Sequence, residues 1–67
     1  MPMSVAERLK QARHTAGFSQ AQLARASGVP LRTITNLEQG IASKPRLPNA
    51  IKLAKALKLK PDDLTNA

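Results

Sequence analysis

The chain opens with a polar pattern that marks the start of a helix. Ser4 stands three residues before Glu7, and at this spacing the hydroxyl and the carboxylate can each accept a hydrogen bond from an amide at the helix start, an arrangement called a capping box. Apolar residues then recur at helical spacing until Gly17, which supplies a helix stop. The pattern predicts a first helix over residues 5–16 with one apolar face, formed by Val5, Leu9, Ala12 and Ala16.

A second capping-box pattern, from Ser19 to Gln22, predicts another helix directly afterwards. Phe18 precedes this cap and is placed to pack on Leu23 as a hydrophobic staple. Gly28 ends the second helix early, and Val29-Pro30 turns the chain into a third helix over residues 31–39, which Gly40 closes. The predicted order is helix, tight turn, helix.

The remaining chain predicts a loop and two more helices. Residues 41–47 lack helical periodicity, whereas Pro48 suits the first turn of a fourth helix that carries Ile51, Ala54 and Leu57 inward. A proline and two acids then stand where a helix start favours them, which predicts a short fifth helix over residues 61–66. Since no strand pattern occurs, we expect an all-α fold of five helices.

Length and composition restrict the class of protein. The 67 residues suffice for one domain, whose core we expect over residues 5–65. The chain has no cysteine, so disulfides and thiolate metal sites are excluded and the fold must rest on packing. There is no apolar run near the roughly 18 residues of a membrane span, nor a signal-peptide pattern at the amino terminus. We therefore expect a soluble, cytoplasmic protein without metal, cofactor or evident small-molecule ligand.

The charge of the chain favours a polyanionic partner. Eleven Lys and Arg stand against four Asp and Glu, for a formal net charge of +7. Six of the basic residues fall between Ile41 and Lys60, a stretch without any acid. Nucleic acid is the leading partner class, and a merely soluble basic surface is the alternative.

Residues 20–39 meet the needs of two helices that cross steeply over a short turn. Ala24 is small where the helices touch, Gly28 permits a positive φ in the turn, and Ile34 anchors the second helix on the body of the domain. The spacing fits a helix-turn-helix, the DNA-reading motif, but it also fits a plain helical hairpin.

The sequence resembles the phage repressor and Cro-type helix-turn-helix family of XRE-like regulators from about Leu9 to Leu64. The most specific stretches are residues 18–24, with the sequence FSQAQLA, residues 34–40, with ITNLEQG, and residues 54–57, with AKAL, which leads to PDDL at residues 61–64. The resemblance implies a five-helix, lambda-repressor-like domain whose third helix lies in the major groove of double-stranded DNA. It also implies a transcriptional regulator, most simply a repressor, in the cytoplasm of a prokaryotic cell or a phage-infected host.

The resemblance also implies which residues face the DNA. Leu31, Arg32 and Asn36 match positions that meet base edges: Arg32 can pair with guanine, Asn36 with adenine, and Leu31 can contact a thymine methyl group. Arg32 can instead bind phosphate. The implied phosphate contacts are Gln20, Thr33, Thr35, Ser43, Lys44 and Arg46. For the two threonines, a local cap is an equal alternative.

Other matched positions have structural roles, and two depart from the family. Arg13 and Glu38 align with a buried ion pair that joins the first helix to the end of the third. Pro30 stands where the family commonly has a capping Ser or Thr, and Leu31 is unusual at a base-reading position. Four lysines of the fourth helix and its end, Lys52, Lys55, Lys58 and Lys60, are expected on a solvated face.

An enzyme is not expected, because the one histidine, His14, and four acids provide neither a nucleophile with its base nor a metal cluster. The main alternative is a protein-interaction module of the same fold, such as an antitoxin or coregulator subunit. An RNA or single-strand binder is disfavoured because Phe18 is the sole aromatic residue.

The small surface of one recognition helix predicts a homodimer on a pseudo-palindromic operator. The far end of the chain offers apolar residues for the contact. Leu57 and Leu64 are expected in the core, which leaves Leu59 and Pro61 as the exposed dimer surface.

Overall fold

The computed structural model describes residues 4–65, and this part of the chain forms five helices and no strand. The helices are α1 (Val5–Thr15), α2 (Gln20–Ser27), α3 (Leu31–Glu38), α4 (Leu47–Leu57) and α5 (Asp62–Thr65). The predicted all-α class with five helices is confirmed, with ends that differ by one or two residues. Asn66, which the prediction included in the last helix, lies outside the described residues. Between Ser4 and Thr65, no helix is long and apolar enough to cross a membrane.

Both predicted capping boxes are present. At α1, the Glu7 amide donates to Ser4 Oγ at 3.2 Å, and the Ser4 amide donates to Glu7 Oε1 at 3.3 Å. At α2, the Gln22 amide donates to Ser19 Oγ at 3.1 Å, and the Ser19 amide donates to Gln22 Oε1 at 2.8 Å. Each box satisfies two amides that would otherwise lack a partner at the helix start.

The turn between α2 and α3 depends on Gly28. Its φ is +80°, a left-handed conformation that is costly for residues with a Cβ, and its amide donates to the Ala24 carbonyl at 2.9 Å. Ser27 supports the turn, because its hydroxyl donates to the Leu23 carbonyl and accepts from the Val29 amide. Three residues thus connect the two helices, and α3 starts directly after Pro30.

The core lies where all five helices meet. Helix α3 packs against α1 and α2, α4 packs against α2 and α5, and α5 reaches back to α1. Phe18, half-buried, packs against this core. The buried residues of the core are Leu9, Leu23, Val29, Ile34, Leu37, Leu53, Ala54, Leu57 and Leu64.

Two predicted core positions are wrong. Ile51 is 44% exposed, because the inward stripe of α4 follows Ala50, Leu53, Ala54 and Leu57. One residue corresponds to about 100° of rotation, so a side chain next to Ala50 points well away from the core. Ala16, predicted on the apolar face of the first helix, is also exposed, and α1 ends one residue before it, at Thr15.

The predicted exposed pair at the end of the chain is wrong as well. Leu59 and Pro61 are both half-buried, and Leu59 packs against the core. The chain reverses at Lys58, which has a φ of 57°, and the Leu59 amide donates to the Ala54 carbonyl at 2.8 Å. This reversal folds Leu59 back over the end of α4 in the way that a helix C-cap commonly buries the following apolar residue.

Candidate nucleic-acid interface

The outer face of α3 carries the residues that the family resemblance predicts as base contacts. Arg32 is exposed, Leu31 is 45% exposed, and Asn36 is half-buried one turn further along the helix. Thr35 lies on the same helix, and its hydroxyl donates to the Arg32 carbonyl at 2.9 Å. This is the local bond that the sequence left open for Thr35, and it leaves the lone pairs of the oxygen for a further donor.

A cleft of about 370 Å³ joins α3 to the loop that follows it and to the first turn of α4. We call it the basic cleft. It brings together four of the predicted DNA-contacting residues, Thr33, Asn36, Lys44 and Arg46. Its other lining residues are Leu37, Ala42, Pro45 and Asn49. Side chains from a helix, a loop and a second helix therefore converge on one concave surface.

The loop is fixed in place by the end of α3. The Asn36 carbonyl accepts hydrogen bonds from the Ile41 amide at 3.0 Å and from the Ala42 amide at 3.2 Å. Pro45 is buried, so the middle of the loop is anchored on the body of the domain. Lys44 and Arg46, on either side of this proline, are exposed and extend from an anchored backbone.

Sequence reasoning missed Asn49 as a member of the cleft. Asn49 lies in the first turn of α4, where an asparagine is not by itself a sign of a binding site. Its position relative to Lys44 depends on how the loop folds. Ser43, Gln20, Leu31, Arg32 and Thr35 lie outside the cleft lining.

The charges at the cleft are not neutralised by neighbouring side chains. Within residues 4–65 there is one ion pair, between Arg13 and Glu38. Two other acids act locally, since Glu7 caps α1 and Asp63 accepts a hydrogen bond from the Lys60 amide at 3.1 Å. Lys44 and Arg46 therefore present uncompensated positive charge to the solvent.

Arg13, Gln20 and Glu38 form a polar contact that we call the buried junction. Arg13 Nε donates to Glu38 Oε2 at 2.6 Å, and Nη2 donates to Glu38 Oε1 at 2.9 Å, so the guanidinium and carboxylate meet in a two-pronged geometry. Arg13 Nη1 also donates to the Phe18 carbonyl at 3.0 Å. The junction ties α1, the start of α2 and the end of α3 together.

Gln20, which the family resemblance predicts as a phosphate contact, belongs to this junction. Its Nε2 donates to Glu38 Oε1 at 3.2 Å, and the residue is half-buried. An amide group carries two N–H donors. One is used by Glu38, and the second is left for another acceptor.

Ionisation of the junction is stabilised by its own hydrogen bonds. Burial acts to raise the pKa of Glu38, but hydrogen bonds from Arg13 and Gln20, together with the positive charges of Arg13 and Lys10, outweigh it, so that the pKa is lowered. The hydrogen bond to Glu38 raises the pKa of Arg13. Both groups are therefore charged at neutral pH.

Comparison with known proteins adds the family. The model of the helix-turn-helix family matches residues 9–64, which is most of the chain. The chain belongs to the helix-turn-helix family. In this helix-turn-helix protein, α2 and α3 are the two helices of the motif and Gly28 lies in its turn.

Solved structures resemble this helix-turn-helix protein over nearly its whole length. The N-terminal DNA-binding domain of SinR from Bacillus subtilis has a TM-score of 0.88 at 24% identity, covering 94% of this chain and 91% of that one. The restriction-modification controller protein C.AhdI from Aeromonas hydrophila has a TM-score of 0.79 at 34% identity, with 88% of each chain covered. The P22 c2 repressor, in complex with a synthetic operator, has a TM-score of 0.84 at 28% identity, covering 98% of this chain and all (100%) of that one. A search of curated protein sequences gave no match.

Proposed function

We propose that this helix-turn-helix protein binds double-stranded DNA in a sequence-specific manner and regulates transcription, most simply as a repressor. The observation that carries the proposal is that the exposed face of α3 lies next to the basic cleft. Arg32 and Leu31 project from α3, while Lys44 and Arg46 flank the same helix from the loop. A helix in the major groove needs both elements, because base contacts specify a sequence and phosphate contacts hold the register.

The similar structures support the same proposal. One is described as a DNA-binding domain and another was solved on a synthetic operator. The chain-wide coverage of these matches means that the whole motif, with its flanking helices, has a counterpart in those proteins.

We assign base readout to Arg32, Asn36 and Leu31, and phosphate contacts to the loop and the flanks of α3. Asn36 both lines the cleft and lies one turn from Arg32, so it is the residue that connects the two groups. The proposed phosphate contacts are Gln20, Thr33, Thr35, Ser43, Lys44, Arg46 and, from the cleft geometry, Asn49.

The test compares two lysines in their effect on DNA binding. Lys44→Ala should weaken binding to all duplexes alike and lower the salt slope by about one unit, because one phosphate contact is lost. Lys60→Ala is the matched control, since Lys60 is an exposed lysine beyond the end of α4 that does not line the cleft. Selection of bound sequences from random duplex DNA supplies the specific site for both titrations. Equal slopes for the two variants would contradict the assignment of the cleft to the DNA backbone.

We further propose that two copies bind one pseudo-palindromic operator, and that they meet through α4 rather than through Leu59 and Pro61. Leu47 is 62% exposed and Ile51 is 44% exposed. They are one helical turn apart and so share a face. This face begins next to Arg46 and Asn49 of the basic cleft, so a second copy seated on it would lie beside the same DNA.

Charge makes this dimer weak in solution. Lys52 and Lys55 are exposed beside Ile51, and a two-fold contact would bring the lysines of both copies close together. DNA phosphates or high salt would relieve that repulsion. We therefore expect pairing to become firm only on a duplex with two half-sites.

Sedimentation with and without such a duplex tests the pairing. The expected result is two copies per duplex, with Ile51→Gln weakening the second binding step and Lys52→Gln strengthening self-association at low salt. A strict one-to-one complex on a two-half-site duplex, without a second binding step, would overturn the dimer and leave the DNA-binding proposal intact.

A further inference from the structure

A second concave surface lies between the C-terminal halves of α1 and α4, and we call it the apolar groove. Its volume is about 580 Å³, within the usual range of small-molecule sites. Ala12, Phe18, Ala56 and Leu59 form its floor, and all four are half-buried side chains packed against the core. Among the described residues, none lines both this groove and the basic cleft.

Arg8, a lining residue of the groove, has a side-chain nitrogen without a hydrogen-bond partner. Arg8 Nε is buried, and it is the one buried side-chain nitrogen or oxygen in residues 4–65 without a hydrogen-bond partner. Arg8 as a whole is half-buried, and a carboxylate is the acceptor that matches the charge and shape of a guanidinium.

The groove is also lined by a cation in a backbone conformation that favours glycine. Lys58 is the C-cap of α4 with φ 57° and ψ 40°, and within the described chain it is the one non-glycine residue with a positive φ. A lysine at this position makes the protein less stable than a glycine would, and glycine is the usual residue at such a helix end. Lys58 lines the groove, so the less stable choice provides a positive charge at its rim.

The groove holds no acid that could neutralise these two cations. Its remaining lining residues are uncharged, and Glu38, Glu7 and Asp63 are bonded elsewhere. An apolar floor between two basic side chains is complementary to a molecule with an apolar body and a negative head.

We propose that the apolar groove binds a small organic carboxylate with an apolar body. The body covers Phe18 and Leu59, and the carboxylate accepts hydrogen bonds from Arg8 and Lys58. The proposal does not depend on DNA binding, since the groove and the basic cleft have separate linings.

Decanoate is the probe, and decanol, which has the same chain without the charge, is its control. Titration of the ¹⁵N-labelled protein should give saturable amide shifts at Ala12, Ala16, Phe18 and Leu59. Decanol should bind more weakly by about tenfold, the factor expected for a hydrogen bond to a charged group. Equal affinity for both compounds, or shifts centred outside the groove, would overturn the proposal.

Two variants separate binding from folding. Arg8→Gln should weaken decanoate about tenfold, whereas Lys58→Gly should weaken it about two- to fivefold while raising the melting temperature. Lys55→Gln, on the same helix but outside the groove lining, should leave the affinity unchanged. A purely structural role for Lys58 predicts a change in melting temperature alone, so unchanged decanoate affinity in both groove variants would contradict the assignment.

Discussion

The buried junction and the basic cleft lie on the same helix, and they use charged side chains in opposite ways. In the junction, Arg13 is buried, and Nε and Nη2 of its guanidinium donate to the Glu38 carboxylate at the end of α3. In the cleft, Arg46 and Lys44 are exposed beside the middle of that helix, without an acid from the described chain near enough to pair with them. Arg13 thus stabilises the fold, whereas Arg46 keeps its charge available for a partner.

The difference shows how a chain with few acids divides their roles. Three of the four acids are engaged in the fold: Glu38 pairs with Arg13, while Glu7 and Asp63 accept hydrogen bonds at helix starts. Within residues 4–65, the basic residues outside the junction form no ion pair. We infer that loss of Arg13 or Glu38 affects stability, whereas loss of Lys44 or Arg46 affects binding.

The largest expected effect is that of breaking the junction. Arg13→Met leaves the Glu38 carboxylate buried without its partner, and this should lower the free energy of unfolding by about 3–5 kcal/mol. Urea unfolding followed by circular dichroism measures the loss. The expected loss approaches the whole stability of a small domain, so a stabilising osmolyte is added to both proteins to keep the variant folded in the absence of urea.

The double variant Arg13→Met/Glu38→Leu is the matched control. It removes both charges together, so it should recover most of the stability that the single variant loses. If Arg13→Met cost less than about 1 kcal/mol, Glu38 would have to reach water, and the contrast with the cleft would disappear.

A smaller effect is expected on the exposed face of α3. Arg32→Ala and Asn36→Ala should each lose about 1–3 kcal/mol of discrimination at one base pair per half-site. Because Arg32 is exposed, its replacement should change the unfolding free energy by less than about 0.5 kcal/mol. Affinities for the selected duplex and for its single-base variants provide the measurement. A uniform loss over all duplexes would make Arg32 a phosphate contact instead.

The smallest effect of the three is the acid sensitivity of the junction. The folded protein lowers the pKa of Glu38 from its ordinary value of 4.5, so folding favours the ionised carboxylate. That contribution to stability is complete above the ordinary value and is lost as the pH falls below it. Thermal unfolding between pH 7 and pH 3 should show this loss in the parent protein. The double variant, which lacks the carboxylate, should lose less over the same range.

The fold could be predicted in large part because its helix boundaries depend on local chemistry. The capping boxes at Ser4 and Ser19 and the positive φ of Gly28 are fixed by neighbours within a few residues. Sequence predicts the wrong environment for Ile51, because an apolar spacing gives the period of a helix and leaves its rotation open by one residue. It also predicts the wrong environment for Leu59, because the reversal at Lys58 occurs at a residue that rarely adopts a left-handed conformation.

The candidate site could be predicted less completely. Arg13 and Glu38 are 25 residues apart, and the family resemblance is the one sequence signal that connects them. Asn49 joins the basic cleft through the path of the loop around buried Pro45, which has no periodic signal. Long-range contacts of this kind depend on tertiary packing, which local sequence does not encode.

The paired hydrogen bonds that Asn36 accepts from Ile41 and Ala42 have a consequence for the DNA itself. They hold the loop at a set distance from α3, so the proposed base-reading groups and phosphate-binding groups keep a fixed spacing. A fixed spacing matches only duplexes with a particular groove width and local bend, and these properties vary with base composition. We therefore expect preferences at base pairs that no side chain touches, and those preferences should weaken when a glycine insertion after Ala42 loosens the loop.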